Sequence, residues 1–137
     1  MVRKTFSAAH FLPDYDGKCK NLHGHNWTVE IFFTSQLLCN GLAIDFKELK
    51  EKLGEILKEF DHTNLNDHEW FKECPPSCEN IAQYIYWKLS EKLDDEWRFI
   101  IINDAWTAKK FNNSIHVLFN SVRVWESENA YAEYSEY

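Results

Sequence analysis

His23-Gly24-His25-Asn26-Trp27-Thr28-Val29-Glu30-Ile31-Phe32-Phe33-Thr34 alternates in its side chains with a period of two. His25, Trp27, Val29, Ile31 and Phe33 fall on one face of a strand, while Asn26, Thr28 and Glu30 fall on the other. Phe32 makes the far end apolar on both faces. Upstream, Phe6, Ala8 and His10 alternate with Ser7 and Ala9, and Pro13 to Gly17 supplies a turn. Two strands joined by a loop, with histidines where they meet, are therefore expected at the start of the chain.

Downstream the period changes. After the turn signal Asn40-Gly41, residues Phe46, Leu49, Leu53, Ile56, Leu57 and Phe60 recur at helical spacing behind Asp45, a natural N-cap. Pro75-Pro76-Ser77 announces a second helix, which Ser77 caps and which Ile81, Ile85, Leu89 and Leu93 stripe at i, i+4. Phe99 to Ile102 and Val117 to Trp125 are β-branched and aromatic runs, and Ala130 to Tyr134 reads as a short final strand. Two strands, two helices and two or three more strands predict an α+β architecture, an antiparallel sheet with its helices packed on one face.

The 137 residues suit a single domain over 1–137, and 45% hydrophobic with 27% charged residues is ordinary globular composition. Aromatics at 16% exceed what one small core easily hides, which points to a flat ligand's pocket or a subunit interface. A net charge of −7 argues against a nucleic-acid partner. No apolar run is long enough to span a membrane, and Met1 to Tyr15 lacks a signal peptide's apolar stretch, so a cytoplasmic protein is expected. In that compartment the four cysteines are expected as thiols rather than disulfides.

His23 and His25, two apart on a strand, send both imidazoles to the same face, and a hairpin brings His10 beside them. Three imidazoles with one open position suit catalytic zinc. Gly24 between them allows backbone or ligand to approach closely. The plainer alternative for His-x-His is a surface pair. Cys19 lies in Lys18-Cys19-Lys20, four residues before His23, as a candidate base or nucleophile. Asp61-His62 at the end of the first helix offers a carboxylate-oriented imidazole for proton exchange with Cys19, or a pair that only complements the helix dipole. His68 and His116 have no partner at ligand spacing and are expected to face solvent. Cys74 and Cys78 lack the second pair that a structural zinc site needs.

Taken together, Phe6-Ser7-Ala8-Ala9-His10, Cys19 through His23-Gly24-His25-Asn26, Ile44-Asp45-Phe46, Asp61-His62 with Leu65-Asn66, Pro76-Ser77-Cys78-Glu79-Asn80 and Val124-Trp125-Glu126-Ser127 resemble the 6-pyruvoyltetrahydropterin and 6-carboxytetrahydropterin synthase family. The resemblance implies the tunnelling fold and a Zn2+ site at His10, His23 and His25. It also implies a catalytic Cys19, a relay through Asp61 and His62, and Glu126 anchoring the pterin ring and joining the relay. Ser77 and Ser127, where many relatives have Thr, are implied substrate-binding residues. The implied substrate is 7,8-dihydroneopterin triphosphate or a close relative, and the implied assembly is a homo-oligomer, a hexamer of paired trimers. The Cys19-x3-His23 spacing looks like the 6-carboxy branch, which releases acetaldehyde and triphosphate on the route to queuosine and other deazapurines. The alternatives are the 6-pyruvoyl branch without carbon-carbon cleavage, and a non-catalytic pterin-binding module. Residues 95–116 read as an insertion, and the acidic balance fits a triphosphate only if Lys18, Lys20 or a neighbouring subunit supplies positive charge.

Overall fold

A computed structural model describes residues 1–35, 44–101 and 117–136. The turn expected at Asn40-Gly41 and the residue His116 lie outside them. β1 (Val2–His10) and β2 (His23–Ser35) form an antiparallel hairpin with Phe6 opposite Trp27, Ala8 opposite His25 and His10 opposite His23. α1 (Phe46–Leu57) follows, capped by Asp45, whose carboxylate accepts from the Lys47 N–H at 2.7 Å. A two-residue strand β3 (Thr63–Asn64), one turn of helix α2 (Trp70–Glu73) and the long α3 (Cys78–Ile101) precede β4 (Val117–Ser127) and β5 (Ala130–Tyr134). The sheet order is β3-β1-β2-β4-β5, antiparallel throughout except where β3 runs parallel to β1.

The two long helices lie on one face of the sheet, as the pattern predicts. Trp27, Val29 and Ile31 from β2, with Val122 and Val124 from β4, meet Leu49, Leu53 and Ile56 of α1 and Ile81, Ile85 and Leu89 of α3, all fully buried. Among the described residues no helix covers the other face, where Glu30 is nonetheless only 3% exposed. Its carboxylate accepts from Arg3 Nε and from Trp125 Nε1, both at 2.9 Å, and stands 3.7 Å from the Arg123 guanidinium. Arg123 in turn lies over the rings of Phe32 and Tyr131.

Three expectations change. Phe99 to Ile101 continue α3 rather than forming a strand, since extending an existing helix adds one hydrogen bond per residue while a new strand needs an edge to pair with. The first part of the expected 95–116 insertion therefore belongs to that helix, and 102–116 lie outside the described residues. β3 and α2 are too short for periodicity to reveal. His68 does not face solvent: it packs edge-on to Phe60 and Tyr84, its Nδ1 accepts from the Trp70 N–H, and its Nε2 lies 3.4 Å from Glu59. Phe60 and Tyr84, which lie outside the 65–73 stretch that holds His68, make much of that pocket, so local spacing does not announce it.

Candidate metal centre

The hairpin register sets the histidines before any side chain is considered. His10 and His23 are cross-strand partners, and His25 lies two residues along β2 on the same face. Their ring centroids are 4.5 Å apart for His10 and His23, 4.9 Å for His23 and His25, and 5.3 Å for His10 and His25. Trp27 forms the floor, its ring 4.8 Å from His10 and 5.2 Å from His25, fixed by a hydrogen bond from Nε1 to the Ala8 carbonyl.

Backbone carbonyls decide which ring nitrogen is free. His10 Nδ1 lies 2.7 Å from the Pro76 carbonyl oxygen, and His23 Nδ1 lies 2.7 Å from that of Asn21. A carbonyl only accepts, so each Nδ1 carries the proton and each neutral ring leaves its Nε2 lone pair free. Burial pushes the His10 and His25 imidazoles below their ordinary value, which keeps them in the unprotonated form a metal requires.

Glu126 joins them from β4. The pairing of β4 with β5 shifts between Trp125 and Ser127, which leaves a bulge at Glu126. Glu126 Oε1 stands 3.1 Å from His25 Nε2 and 3.3 Å from His10 Nε2, yet neither buried nitrogen has a hydrogen-bond partner. One ligand atom from each of His10, His23, His25 and Glu126 can be chosen so that all four lie within 4.8 Å of one another. Lone pairs of neutral imidazoles facing a carboxylate repel unless a cation lies between them, so this donor set could hold a metal ion.

A cavity of about 240 Å3 opens beside this cluster, with Cys19, Ser77, Cys78, Glu79 and Glu126 among its lining residues. Leu12 N–H donates to the Cys19 carbonyl at 2.8 Å, and Asn66 clamps both backbone groups of Phe11, so the loop carrying Cys19 is tied down at its start. Burial, with help from Glu126 and Glu79, pushes the Cys78 thiol up to about 12, which leaves it protonated at neutral pH. Sequence reasoning missed Cys78 as a cavity residue; its place beside the Ser77 cap was the available signal.

Asp61 and His62 stand elsewhere. Asp61 accepts the Ser7 N–H at 2.9 Å and faces His62 Nδ1 at 3.0 Å; those contacts, the Ser7 bond first, hold its carboxyl below the usual range. The His62 side chain is 81% exposed and lines a separate cavity with Asn26, His25 and Ser7. Ser127 lines a third cavity, with Arg3, Asn26 and Trp125, which Glu126 also borders. One chain thus brings His10, Cys19, Ser77 and Glu126 to one cavity, places His25 on the cavity that His62 lines, and leaves Ser127 on a third. Gly24 is not tightly enclosed either: a Cβ there would meet only the Ala8 carbonyl, at 3.7 Å.

The sequence of residues 1–137 matches the 6-pyruvoyl tetrahydropterin synthase family along its whole length. The chain belongs to that family. Relatives on both of its branches are similar to it. The putative 6-carboxy-5,6,7,8-tetrahydropterin synthase of Archaeoglobus fulgidus is 38% identical over 91 residues, covering 66% of this chain and 75% of that protein. The 6-pyruvoyl tetrahydrobiopterin synthase of Drosophila melanogaster is 39% identical over 99 residues, covering 61% and 59%. Among solved structures, the 6-pyruvoyl tetrahydropterin synthase of Caenorhabditis elegans superposes with a TM-score of 0.74 at 24% identity, over 98% of this chain and 92% of that one. That likeness establishes the fold, the tunnelling fold of this family. No helix among the described residues is long and apolar enough to cross a membrane.

Proposed function

We propose that the chain is a zinc-dependent lyase that converts 7,8-dihydroneopterin triphosphate into 6-carboxy-5,6,7,8-tetrahydropterin, with uptake of one water and release of acetaldehyde and triphosphate. The observation that carries this reading is the clustering of donor atoms of His10, His23, His25 and Glu126 beside a cavity that His10, Glu126 and Cys19 line. His10, His23 and His25 would hold the metal. Zinc there supplies Lewis-acid polarisation of the side-chain oxygens of the substrate.

Within that frame the chain's own groups have distinct tasks. Cys19, on the cavity wall, takes the proton from the substrate side chain. Glu126 accepts two parallel N–H bonds from the 2-amino-pyrimidinone edge of the pterin. Ser77 and Ser127 offer hydroxyls to the ring, Ser127 from the adjoining cavity. Asp61 orients His62, which exchanges protons with Cys19. Cys19 and His62 line different cavities of one chain, and a homo-oligomer with His62 of one subunit facing Cys19 of another would bring them together. Lys18 and Lys20, both exposed, give the triphosphate a local positive field within an acidic chain. We place the enzyme in the cytoplasm, on the route to queuosine.

The spacing Cys19-x3-His23 favours the 6-carboxy product. Incubation of the zinc-loaded protein with dihydroneopterin triphosphate, with mass identification of every product, tests the assignment: acetaldehyde and the 6-carboxy pterin are expected. An intact three-carbon side chain in the product would move the enzyme to the 6-pyruvoyl branch. Undiminished turnover in Cys19→Ala would remove the assigned chemistry.

A further inference from the structure

Two cavities follow one another along β1. The first is the one that His62 lines, beside Ser7, Ala8 and Ala9 of the strand. The second, a groove of about 380 Å3, continues along Phe6, Thr5 and Lys4 and is walled on its other side by Gly54 of α1 and by Lys58. Asp61 borders the groove and His62 the cavity, so their turn stands between the two. The strand midpoints of the two, Thr5 and Ala8, are three residues and hence about 10 Å apart.

The groove is basic within an acidic chain. Lys47, Lys52, Lys88 and Lys92 each pair with a carboxylate, but among the described residues neither Lys4 nor Lys58 does. Asp61, the carboxylate at the rim, is already held by the Ser7 N–H and by His62. Lys4 is half-buried on the helix-facing side of β1, between buried Val2 and Phe6, where an ammonium without a counter-ion is unfavourable unless an anion reaches it. The helix makes room for this side chain. Gly54 lies inside α1, where glycine is less stable than alanine, and a Cβ there would collide with Lys4 Nζ. The missing Cβ is the seat of the ammonium, and Lys58, four residues on, shares that side of the helix.

We propose that this groove binds the triphosphate tail of the substrate, with Lys4 and Lys58 on the phosphate oxygens and Gly54 giving Lys4 its seat. The inference rests on the lyase reading above, in which His62 of one subunit meets a substrate held at Cys19 of another. A substrate whose side chain lies at His62 extends its tail past Asp61 into the groove of the same subunit. Lys18 and Lys20 stand on the Cys19 side of that junction and this pair on the His62 side, so cations of both subunits meet the triphosphate.

Inorganic tripolyphosphate carries the charge of the tail without the pterin. It is titrated by calorimetry into the zinc-loaded, assembled protein as wild type, Lys4→Ala, Lys58→Ala, Gly54→Ala and the control Lys72→Ala, an exposed lysine that lines neither cavity. Circular dichroism verifies folding, and metal analysis verifies that zinc is retained. Each of Lys4→Ala and Lys58→Ala is expected to weaken tripolyphosphate by about tenfold, the low end for a hydrogen bond to a charged group. KM for dihydroneopterin triphosphate should rise in parallel with little change in kcat. Lys72→Ala should stay within about threefold of wild type, a general charge effect. Gly54→Ala separates the seat from charge: it should hold Tm at or above wild type, as alanine does inside a helix, yet weaken tripolyphosphate toward the Lys4→Ala value. Wild-type affinity in both lysine variants would overturn the tail site, as would an equal loss in Lys72→Ala; wild-type affinity in Gly54→Ala would overturn the seat. Turnover with unaltered KM in both lysine variants would leave the lyase reading standing and overturn this one. A wild type that binds tripolyphosphate through these lysines but releases none from dihydroneopterin triphosphate would overturn the lyase reading and keep the groove as an anion site.

Discussion

His62→Gly is expected to be more stable than His62→Ala, and both to lose turnover together. His62 is the only described non-glycine residue with positive φ, at 60°. A side chain in that region crowds its own backbone by about 1 to 2 kcal/mol, which glycine avoids at an entropic cost of about 0.5 to 1 kcal/mol in the unfolded chain. The other contributions cancel between the two variants. The His62 N–H bond to the Ser7 carbonyl, at 2.6 Å, is made by backbone that both retain; the contact with Asp61 is lost in both, and an imidazole 81% exposed buries little to begin with. The net difference is about 0.5 to 1 kcal/mol, or about 2 to 3 °C in Tm for a chain of this length. Urea and thermal denaturation of the two variants in the same assembled state measure it. Alanine equal to or above glycine would refute the strain, and a His62→Gly enzyme at wild-type rate would take the imidazole out of the reaction. If both expectations hold, the site carries a strained backbone for the sake of where one imidazole points.

Glu30→Ala is expected to cost about 3 kcal/mol at pH 7, the low end for orphaning a buried charge partner because the Arg3 side chain is 59% exposed and rehydrates. Burial raises the Glu30 carboxyl, but the bonds from Trp125 and Arg3 and both guanidinium charges bring it below its ordinary value; its contribution is thus present above about pH 4.3 and lost as pH falls through the lower folded value, so urea curves at pH 7 and pH 4 should show the deficit shrinking. In the folded protein Cys78 should resist iodoacetamide at pH 8 while denaturant exposes it, read by peptide mass; prompt labelling would contradict a thiol pushed up to about 12. Gly24→Ala should change stability by less than about 1 kcal/mol, because the added Cβ meets one carbonyl at ordinary contact distance, and a larger loss in a urea titration would show a constraint the geometry does not contain.

The strands were legible because period-two alternation and burial are the same fact stated twice: Phe6, Ala8 and His10 alternate with exposed or half-buried neighbours, and the hairpin they form puts His10 across from His23. Asp45 was legible as a cap because its chemistry is local. What failed to show depended on distant partners. Glu30 reads as an outward-facing strand residue, and only Arg3, Trp125 and Arg123, far from it in sequence, bury it. His68 reads as a loop histidine until Phe60 and Tyr84 pack against it. The pattern Phe99 to Ile102 carries strand propensity, but propensity is outvoted by the helix already running into it.

The same division separates the residues assigned to the metal from the groups assigned to move protons. His10, His23 and His25 sit on paired strands over Trp27, a fully buried ring, so their mutual geometry is fixed by the sheet and the core beneath it. Cys19 lies in a single 3-10 turn (Lys18–Lys20) of the connection between β1 and β2, and His62 in an exposed turn, each held by a few backbone bonds. A ligand cluster tolerates errors of only a few tenths of an ångström, which regular paired structure supplies and a loop does not. A group that must meet substrate, give up a proton and recover it needs access and some freedom, which is what loop ends provide. That is why strand periodicity alone was enough to bring the three histidines together, whereas the relation between Cys19 and His62, set by two loops and on our reading by a second copy of the chain, leaves no periodic trace in the sequence.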